Sequence, residues 1–561
     1  AHTIGRSRLV VFLAATAWLL PGIWWGLPQS TTEFVRRVWG VDELGPHGSL
    51  NAIRAMLGFE GYVTPQYPLA HYFVQALLVW PYHLAMLLAD NVGLPPQSDS
   101  LVVLVLLHRL PSVLMTAGTV TAAAVLIRRI SGSASSSWFV AAAVASIVPL
   151  LYYARTSNVD AAALFWTTVA LLPATSALRD GLTARRAMLI GLCAAAAIAT
   201  KDQQYAFFAG LAIVLAASHV HRVRAGVETG AAWKAPVLGA VVAIGAYLLL
   251  SGALILPSWF AGHIAFIREG SAAAIPQHLR GLIGTYFEHP ATIAGYSQVT
   301  VDTFTLVHSA VGAPIMVLAL IGGVMLAKEN RWMLALLLVP VLSLFAGVIV
   351  PVRFVLARFV LPVDLVCCLL AGVAIAGALR VSRWRTIGQF AAAGTVGWAV
   401  LRGADLTWQM HADARYEAEP WLDHNLRRGD TLAYYGAARK LPGMRRDIVI
   451  VPAPDQYLPD LVYGRGGPPT TVPPFIIVIP QLPTESAHEW NVPDSSFTAL
   501  IDTAGAYRQV LAIRTRSLFP RFLLSASSVN PTVRVFARRD IATSRGITPR
   551  VDVPLPGTNR P

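Results

Sequence analysis

The chain has 561 residues, 55% of them hydrophobic and 13% charged, with a formal net charge of +14 and a mean hydropathy of +0.55. A soluble protein of this length has no core large enough to bury so much apolar surface, so the class is a polytopic membrane protein. The basic excess collects in alternate loops, the positive-inside pattern, and gives nucleic-acid binding little support.

A bilayer crossing needs roughly 20 apolar residues. By that measure about eleven spans stand at 9–27, 101–127, 137–153, 159–177, 185–200, 204–219, 234–256, 304–327, 331–350, 357–379 and 386–402. The first run lacks a small-residue cleavage site and reads as a retained helix. After it comes Val41-Asp-Glu-Leu44, an acidic pair at the point where the chain leaves the bilayer. Pro68–Leu88 is apolar but carries His71, Gln75, Pro81 and His83. Counting it as a crossing reverses every later loop, so it reads as one or two interfacial helices in a large outer loop, about 28–100. A second outer loop covers about 257–303.

With the N-terminus inside, the inner side carries Arg6 and Arg8, Arg128 and Arg129, Arg179, Arg185 and Arg186. It goes on to Arg222, Arg224 and Lys234, Lys328 and Arg331, then Arg380, Arg383 and Arg385. The short outer turns hold only Arg155, Lys201, Arg353 and Arg358. Cys193, Cys367 and Cys368 fall inside spans and show neither a disulfide framework nor metal spacing.

From about 403 the pattern turns soluble. Thr431–Tyr435, Asp447–Val451, Phe475–Ile479 and Thr532–Phe536 read as strands and Pro420–Arg428 as a short helix. The organisation expected is an all-α polytopic membrane domain over 1–402, an extracytoplasmic α/β domain over 403–540, and a disordered polar tail over 541–561.

The polar residues of the helical part gather at the outer ends: Asp42 and Glu43, Tyr153 and Arg155, Asp160, Lys201 and Asp202, Arg353 and Arg358. A transporter places ionisable groups near the bilayer midplane, whereas these span centres are nearly clean, with Asp364 and His308 as exceptions. A carboxylate can take the proton of an attacking hydroxyl, while cations hold a phosphate and stabilise its charge as it leaves. His71, His263, His278 and His289 lie in outer loops but fit no metal motif. No metal ligand and no cofactor are assigned; a divalent cation is left open.

In order along the chain, Val41–Leu44, Tyr67-Pro68-Leu69 with His71-Tyr72, His108-Arg-Leu-Pro-Ser112, Tyr153–Asp160, Ala199-Thr-Lys-Asp202 and Arg358-Phe-Val-Leu-Pro362 resemble the polyprenyl-phosphate-dependent glycosyltransferases of the C-type (GT-C) fold. Within these the chain is similar to protein O-mannosyltransferases and aminoarabinose transferases. The resemblance runs through most of the membrane part; the C-terminal domain is similar in layout only. It implies inverting transfer of a sugar from a polyprenyl-phosphate donor to an acceptor hydroxyl on a protein, glycan or lipid, at the extracytoplasmic face of a bacterial inner or plasma membrane. Asp42 is then the general base, Glu43 an acceptor ligand and Asp160 the second acid. Arg155, Lys201, Arg353 and Arg358 are the phosphate candidates, and Tyr67, His71, Tyr153 and Asp202 the other substrate-binding ones. Many members have two prolines where this chain has Pro68-Leu69, and an acid-Lys pair where it has Gln66-Tyr67. Mannose, aminoarabinose and arabinose all fit the resemblance. The rival readings are a flippase or transporter of a lipid-linked glycan, a ligase or polymerase using a diphosphate carrier, and a non-catalytic scaffold.

Overall fold

The computed structural model describes residues 2–28, 38–40, 43–44, 49, 66–91, 100–227, 233–269, 289–436, 440–445, 447–453, 473–479, 494–502, 504–519 and 529–553. The chain divides into two compact units, Ala1–Ile23 with Leu44–Gly403, and Trp24–Glu43 with Ala404–Pro561. Trp24–Glu43, which the sequence divides between the end of the first span and the first outer loop, groups with the C-terminal unit.

The first unit is helical: α1 His2–Leu19, α2 Leu69–Asn91, α3 Ser100–Ser131, α4 Ala134–Ala145, α5 Val148–Ala154, α6 Val159–Asp180, α7 Ala184–Thr200 and α8 Gln204–Arg224. Then come α9 Lys234–Leu250, α10 Pro257–Glu269, α11 Ile293–Val311, α12 Ala313–Glu329, α13 Arg331–Val352, α14 Leu361–Arg380 and α15 Ser382–His411. Five stretches, in α3, α6, α8, α13 and α14, are long and apolar enough to cross a bilayer, and counting the bent pairs α4–α5 and α11–α12 as one span each makes seven. The chain is an integral membrane protein. The expected count of eleven is not recovered among the described residues, for identifiable reasons. Pro21 and Gly22 end the first run, so α1 stops at Leu19. Helices α7 and α9 have only 17 residues each, and α15 is too polar to qualify.

The span expected at 304–327 is broken. Gly312 sits at φ 82, Pro314 opens the next helix, and α11 and α12 meet at 106°. A milder bend of 66° separates α4 from α5, where Pro149 restarts the helix. The interfacial segment predicted near 68–88 is one helix, α2, with Pro81 inside it.

Close packing between helices uses small residues, as lipid-facing bundles require. A Cβ on Gly322 of α12 would lie 1.8 Å from the Leu370 carbonyl oxygen of α14. In α13, Pro351 has no N–H for the Gly347 carbonyl four residues earlier, and the chain widens into a π turn at Phe345–Ile349. The Tyr205 hydroxyl donates to that carbonyl at 2.8 Å, which meets the demand that backbone polar groups in lipid be satisfied internally.

Cationic helix ends converge on one end of the bundle. Arg129 at the end of α3 lies in electrostatic reach of Arg8, Arg179 and Arg186 and donates to the Leu172 carbonyl at 2.9 Å. Arg380 closing α14 donates to the Ser131 carbonyl. The turns after α5, α7 and α13, which hold the candidate site residues, are at the opposite ends of their helices.

The second unit is built on a six-stranded sheet: β1 Thr431–Tyr435, β2 Val449–Pro452, β3 Phe475–Val478, β4 Tyr507–Ile513, β5 Val533–Arg538 and β6 Arg550–Val551, in the order β2-β1-β3-β5-β4-β6. The pairs β1–β2, β1–β3 and β4–β6 are parallel; β5 runs antiparallel to β3 and β4. Because side chains alternate along a strand, Leu432, Tyr434, Phe475 and Ile477 pack on one face with α16 (Ala414–Asn425). Ala433, Tyr435, Ile476 and Val478 pack on the other with Leu500 of α17 (Asp494–Ile501). The segment expected as a polar tail begins inside α18 (Arg539–Ser544) and goes on to form β6. Buried Ile547 and the Arg545–Asp430 ion pair hold it.

Trp25 and Trp39 join this unit through their aromatic rings. Asp413 caps α16, pairs with Arg415 at 2.8 Å and accepts from Trp25 Nε1 at 3.0 Å. The Arg415 guanidinium lies 3.7 Å from the centre of the Trp39 ring, which also packs on Tyr416. Gly26, at φ +60, receives the Trp39 N–H on its carbonyl and has the Trp39 side chain 2.6 Å from where a Cβ would stand.

Candidate active site

The turn joining α5 to α6 organises the site. Asn158 caps α6 by accepting the Asp160 N–H at 2.8 Å, which sets Asp160 in the first helical turn, where the helix dipole favours an acid. Asp160 is 3% exposed. Its Oδ1 is ion-paired with Lys201, the residue that ends α7. Its Oδ2 is buried without a hydrogen-bond partner among the described residues. The Lys201 ammonium also lies 4.9 Å from the centre of the Phe359 ring, and the Arg358 guanidinium 5.6 Å from the same ring. A single aromatic ring therefore links two of the predicted phosphate cations to the acid.

Helix α2 closes another side. Gln75 donates to the Ser157 hydroxyl, while its Oε1 and the Nε2 of His71, one turn earlier, are buried without partners among the described residues. Burial, with His108 nearby, pushes the His71 imidazole down to about 4, so it is neutral at pH 7 and can accept or donate. The Tyr67 carbonyl accepts from Trp259 Nε1 at 3.3 Å, and the Tyr72 ring meets Trp259 edge-on. Leu44 donates its N–H to the Ser157 carbonyl at 2.7 Å. A buried polar atom left unpaired costs about 1–3 kcal/mol. Among the described residues three such atoms, Asp160 Oδ2, His71 Nε2 and Gln75 Oε1, belong to this turn and to α2.

The other predicted residues have different settings. Arg155 is fully buried and donates to the Leu19 and Trp18 carbonyls at 3.1 and 3.3 Å, capping the end of α1. Burial pushes its guanidinium down to about 9, still charged at neutral pH. Tyr153 is buried edge-on against Tyr152. Asp202 pairs with His263 of α10 at 2.9 Å. Arg353 ends α13 in the left-handed region, φ 54, a strained conformation for a side-chain-bearing residue, and its carbonyl accepts from the His289 N–H. His289 pairs in turn with Asp302 at 2.7 Å. Asp364 is buried on α14 with Arg402 as its electrostatic neighbour. Glu43 is described and partly buried; Asp42 and His278 lie outside the described residues. Among the described residues no group of three or more His, Cys, Asp or Glu is arranged to hold a metal.

Sequence reasoning missed Gln75, Ser157, Asn158 and Phe359 as site residues. Asn158 alone carried a local signal, an Asn two residues before an acid at the start of an apolar run.

No family model matches the chain, and no curated protein matches it. Similar solved structures include ArnT from Cupriavidus metallidurans bound to undecaprenyl phosphate, at 13% identity and a TM-score of 0.41 over 95% of this chain and 98% of that one. The same protein in the apo state matches at 12% identity with the same TM-score and coverage.

Proposed function

We propose that the protein is an inverting glycosyltransferase that moves a sugar from a polyprenyl-phosphate donor to an acceptor hydroxyl at the extracytoplasmic face. The observation that carries this reading is the buried Asp160–Lys201 pair, with Arg358 on the shared Phe359 ring and unsatisfied polar atoms of Asp160, His71 and Gln75 beside it. The ordered motifs support it. So does the location of these turns away from the arginine-rich helix ends, because cationic ends favour the cytoplasm.

In this mechanism Asp42 removes the proton of the acceptor hydroxyl as its oxygen attacks the anomeric carbon. The new carbon–oxygen bond forms while the bond to the donor phosphate breaks, and the phosphate leaves with the electron pair. Glu43, next in the chain, binds the acceptor. Lys201 and Arg358, with Arg353, neutralise the departing phosphate. Asp160 holds the Lys201 ammonium and keeps its second oxygen for a sugar hydroxyl; His71, neutral, and Gln75 do the same. Tyr67, Tyr153 and Asp202 shape the surroundings, and Arg155 secures the turn from behind.

The test is Asp42→Asn in purified protein given a polyprenyl-phosphate sugar and a membrane-extract acceptor, read as release of free polyprenyl phosphate. Loss of a general base lowers turnover by about 10²–10⁴-fold, with donor binding retained. Full turnover in the variant removes Asp42 as the base. Transfer of intact donor between leaflets without phosphate release replaces the reading with that of a flippase.

A further inference from the structure

We propose that the arginine-rich end of α1, α3 and α4 seats an anionic phospholipid, its phosphate among Arg8, Arg128 and Arg129 and an acyl chain along α1 and α4. Two adjoining cavities carry this inference, and neither touches the site described above. The first, about 210 Å³, is lined by those arginines together with the hydroxyl-bearing Ser7, Thr121 and Ser137. Among the described residues no Asp or Glu lines it. The second, about 220 Å³, is lined by Ala14, Ala15, Ala141 and Ala142 among other apolar residues. Val11 and Trp138 line both, so a cationic chamber lies beside an apolar one.

The charge arrangement calls for an anion. Arg129 is occupied by the Leu172 carbonyl and the Ser176 hydroxyl and lies in electrostatic reach of Arg8, Arg179 and Arg186. Like charges collected at one boundary repel, and a phosphate relieves that repulsion. The Arg8 and Arg128 side chains are exposed and face no carboxylate partner among the described residues. The apolar chamber excludes a free inorganic anion as the whole occupant. Ala14 and Ala15 of α1 and Ala141 and Ala142 of α4 wall it with small apolar side chains. Trp138, 50% exposed, stands where the two chambers meet, the position an indole takes between headgroup and tail. Basic recesses between helices on the cytoplasmic side are suited to anionic headgroups.

The experiment uses the full chain, delipidated in detergent and titrated with phosphatidylglycerol, phosphatidylcholine or inorganic phosphate, with bound lipid counted by native mass spectrometry. Phosphatidylglycerol is expected to bind more tightly than phosphatidylcholine. Each of Arg8→Gln and Arg128→Gln should weaken it by about fivefold, and the pair by more than tenfold. Ala14→Leu fills the apolar chamber from an exposed position and should weaken phosphatidylglycerol while leaving inorganic phosphate unchanged. Thermal unfolding of all three variants should match the parent, since the replaced side chains are exposed. Equal binding of both phospholipids overturns the proposal, as does parental affinity in the double arginine variant. An unaltered phosphatidylglycerol affinity in Ala14→Leu reduces the site to one for anions alone and also overturns it.

Discussion

A carboxylate as buried as Asp160 depends on its Lys201 partner, because an uncompensated charge in a water-poor setting is strongly unfavourable. Lys201→Met should therefore destabilise the helical unit by about 3–5 kcal/mol, read as thermal unfolding in detergent. Asp160→Asn combined with Lys201→Met removes both charges and should recover most of that stability. Turnover should stay lost in the double variant, since the phosphate ligand is gone. If activity returned with stability, the pair would be structural only. Both residues were legible in the sequence, each being a charge at the edge of an apolar run. Gln75 and Phe359 were not, because their roles come from partners at Ser157 and Lys201, far away in the chain. Arg155 was legible as a cation of an outer turn, but its burial and its acceptors, the carbonyls ending α1, rest on backbone atoms that no side-chain pattern announces.

At the scale of elements, the strands of the C-terminal unit were readable where they are central. Parallel strands covered on both faces show as continuous apolar runs, and β1 and β3 sit where such runs occur. Strand β4 was missed because it begins Tyr-Arg-Gln, with a register shift between Gln509 and Leu511. Strand β6 has two exposed residues and is held from outside the sequence window. Part of that hold is the fork between Arg545, just past α18, and Asp430, just before β1, at 2.5 and 2.8 Å. Partial burial works to raise the Asp430 pKa, but the Arg545 hydrogen bonds and the Arg427 N–H outweigh it and leave the carboxyl below its usual value. A folded-state pKa that is depressed stabilises above the unfolded value, near 3.9, and the contribution disappears as pH falls through the folded one. Arg545→Gln should thus move the acid-unfolding midpoint of this unit to higher pH, followed by tryptophan fluorescence between pH 5 and 2. An unchanged midpoint would mean that the fork forms equally in the unfolded chain.

For the molecule as a whole, hydropathy located the helices but could not count crossings, because length and apolarity do not reveal a bend. The run read as one span at 304–327 turns through 106° at Gly312, a break that a glycine followed two residues later by proline permits but does not require. Charge carries the orientation more reliably than the count does. Arg129, Arg179, Arg186 and Arg8 share one end of the bundle, and translocating so many arginines is disfavoured. That end should face the cytoplasm, with the α5–α6 turn on the other side. Single cysteines at exposed positions can read this directly with a membrane-impermeant maleimide on intact cells. Val227→Cys, after the basic end of α8, and Ser382→Cys, beside Arg380 and Arg383, should label only after permeabilisation. Ile293→Cys, 91% exposed at the start of α11, and Leu518→Cys, 79% exposed in the C-terminal unit, should label without it. The native cysteines add little background, since Cys193 and Cys368 are buried and Cys367 is partly so. Labelling of positions 293 and 382 from the same side would remove the orientation, and with it the assignment of donor chemistry to the outer face. Labelling of position 518 only after permeabilisation would separate the C-terminal unit from that chemistry while leaving the helical site intact.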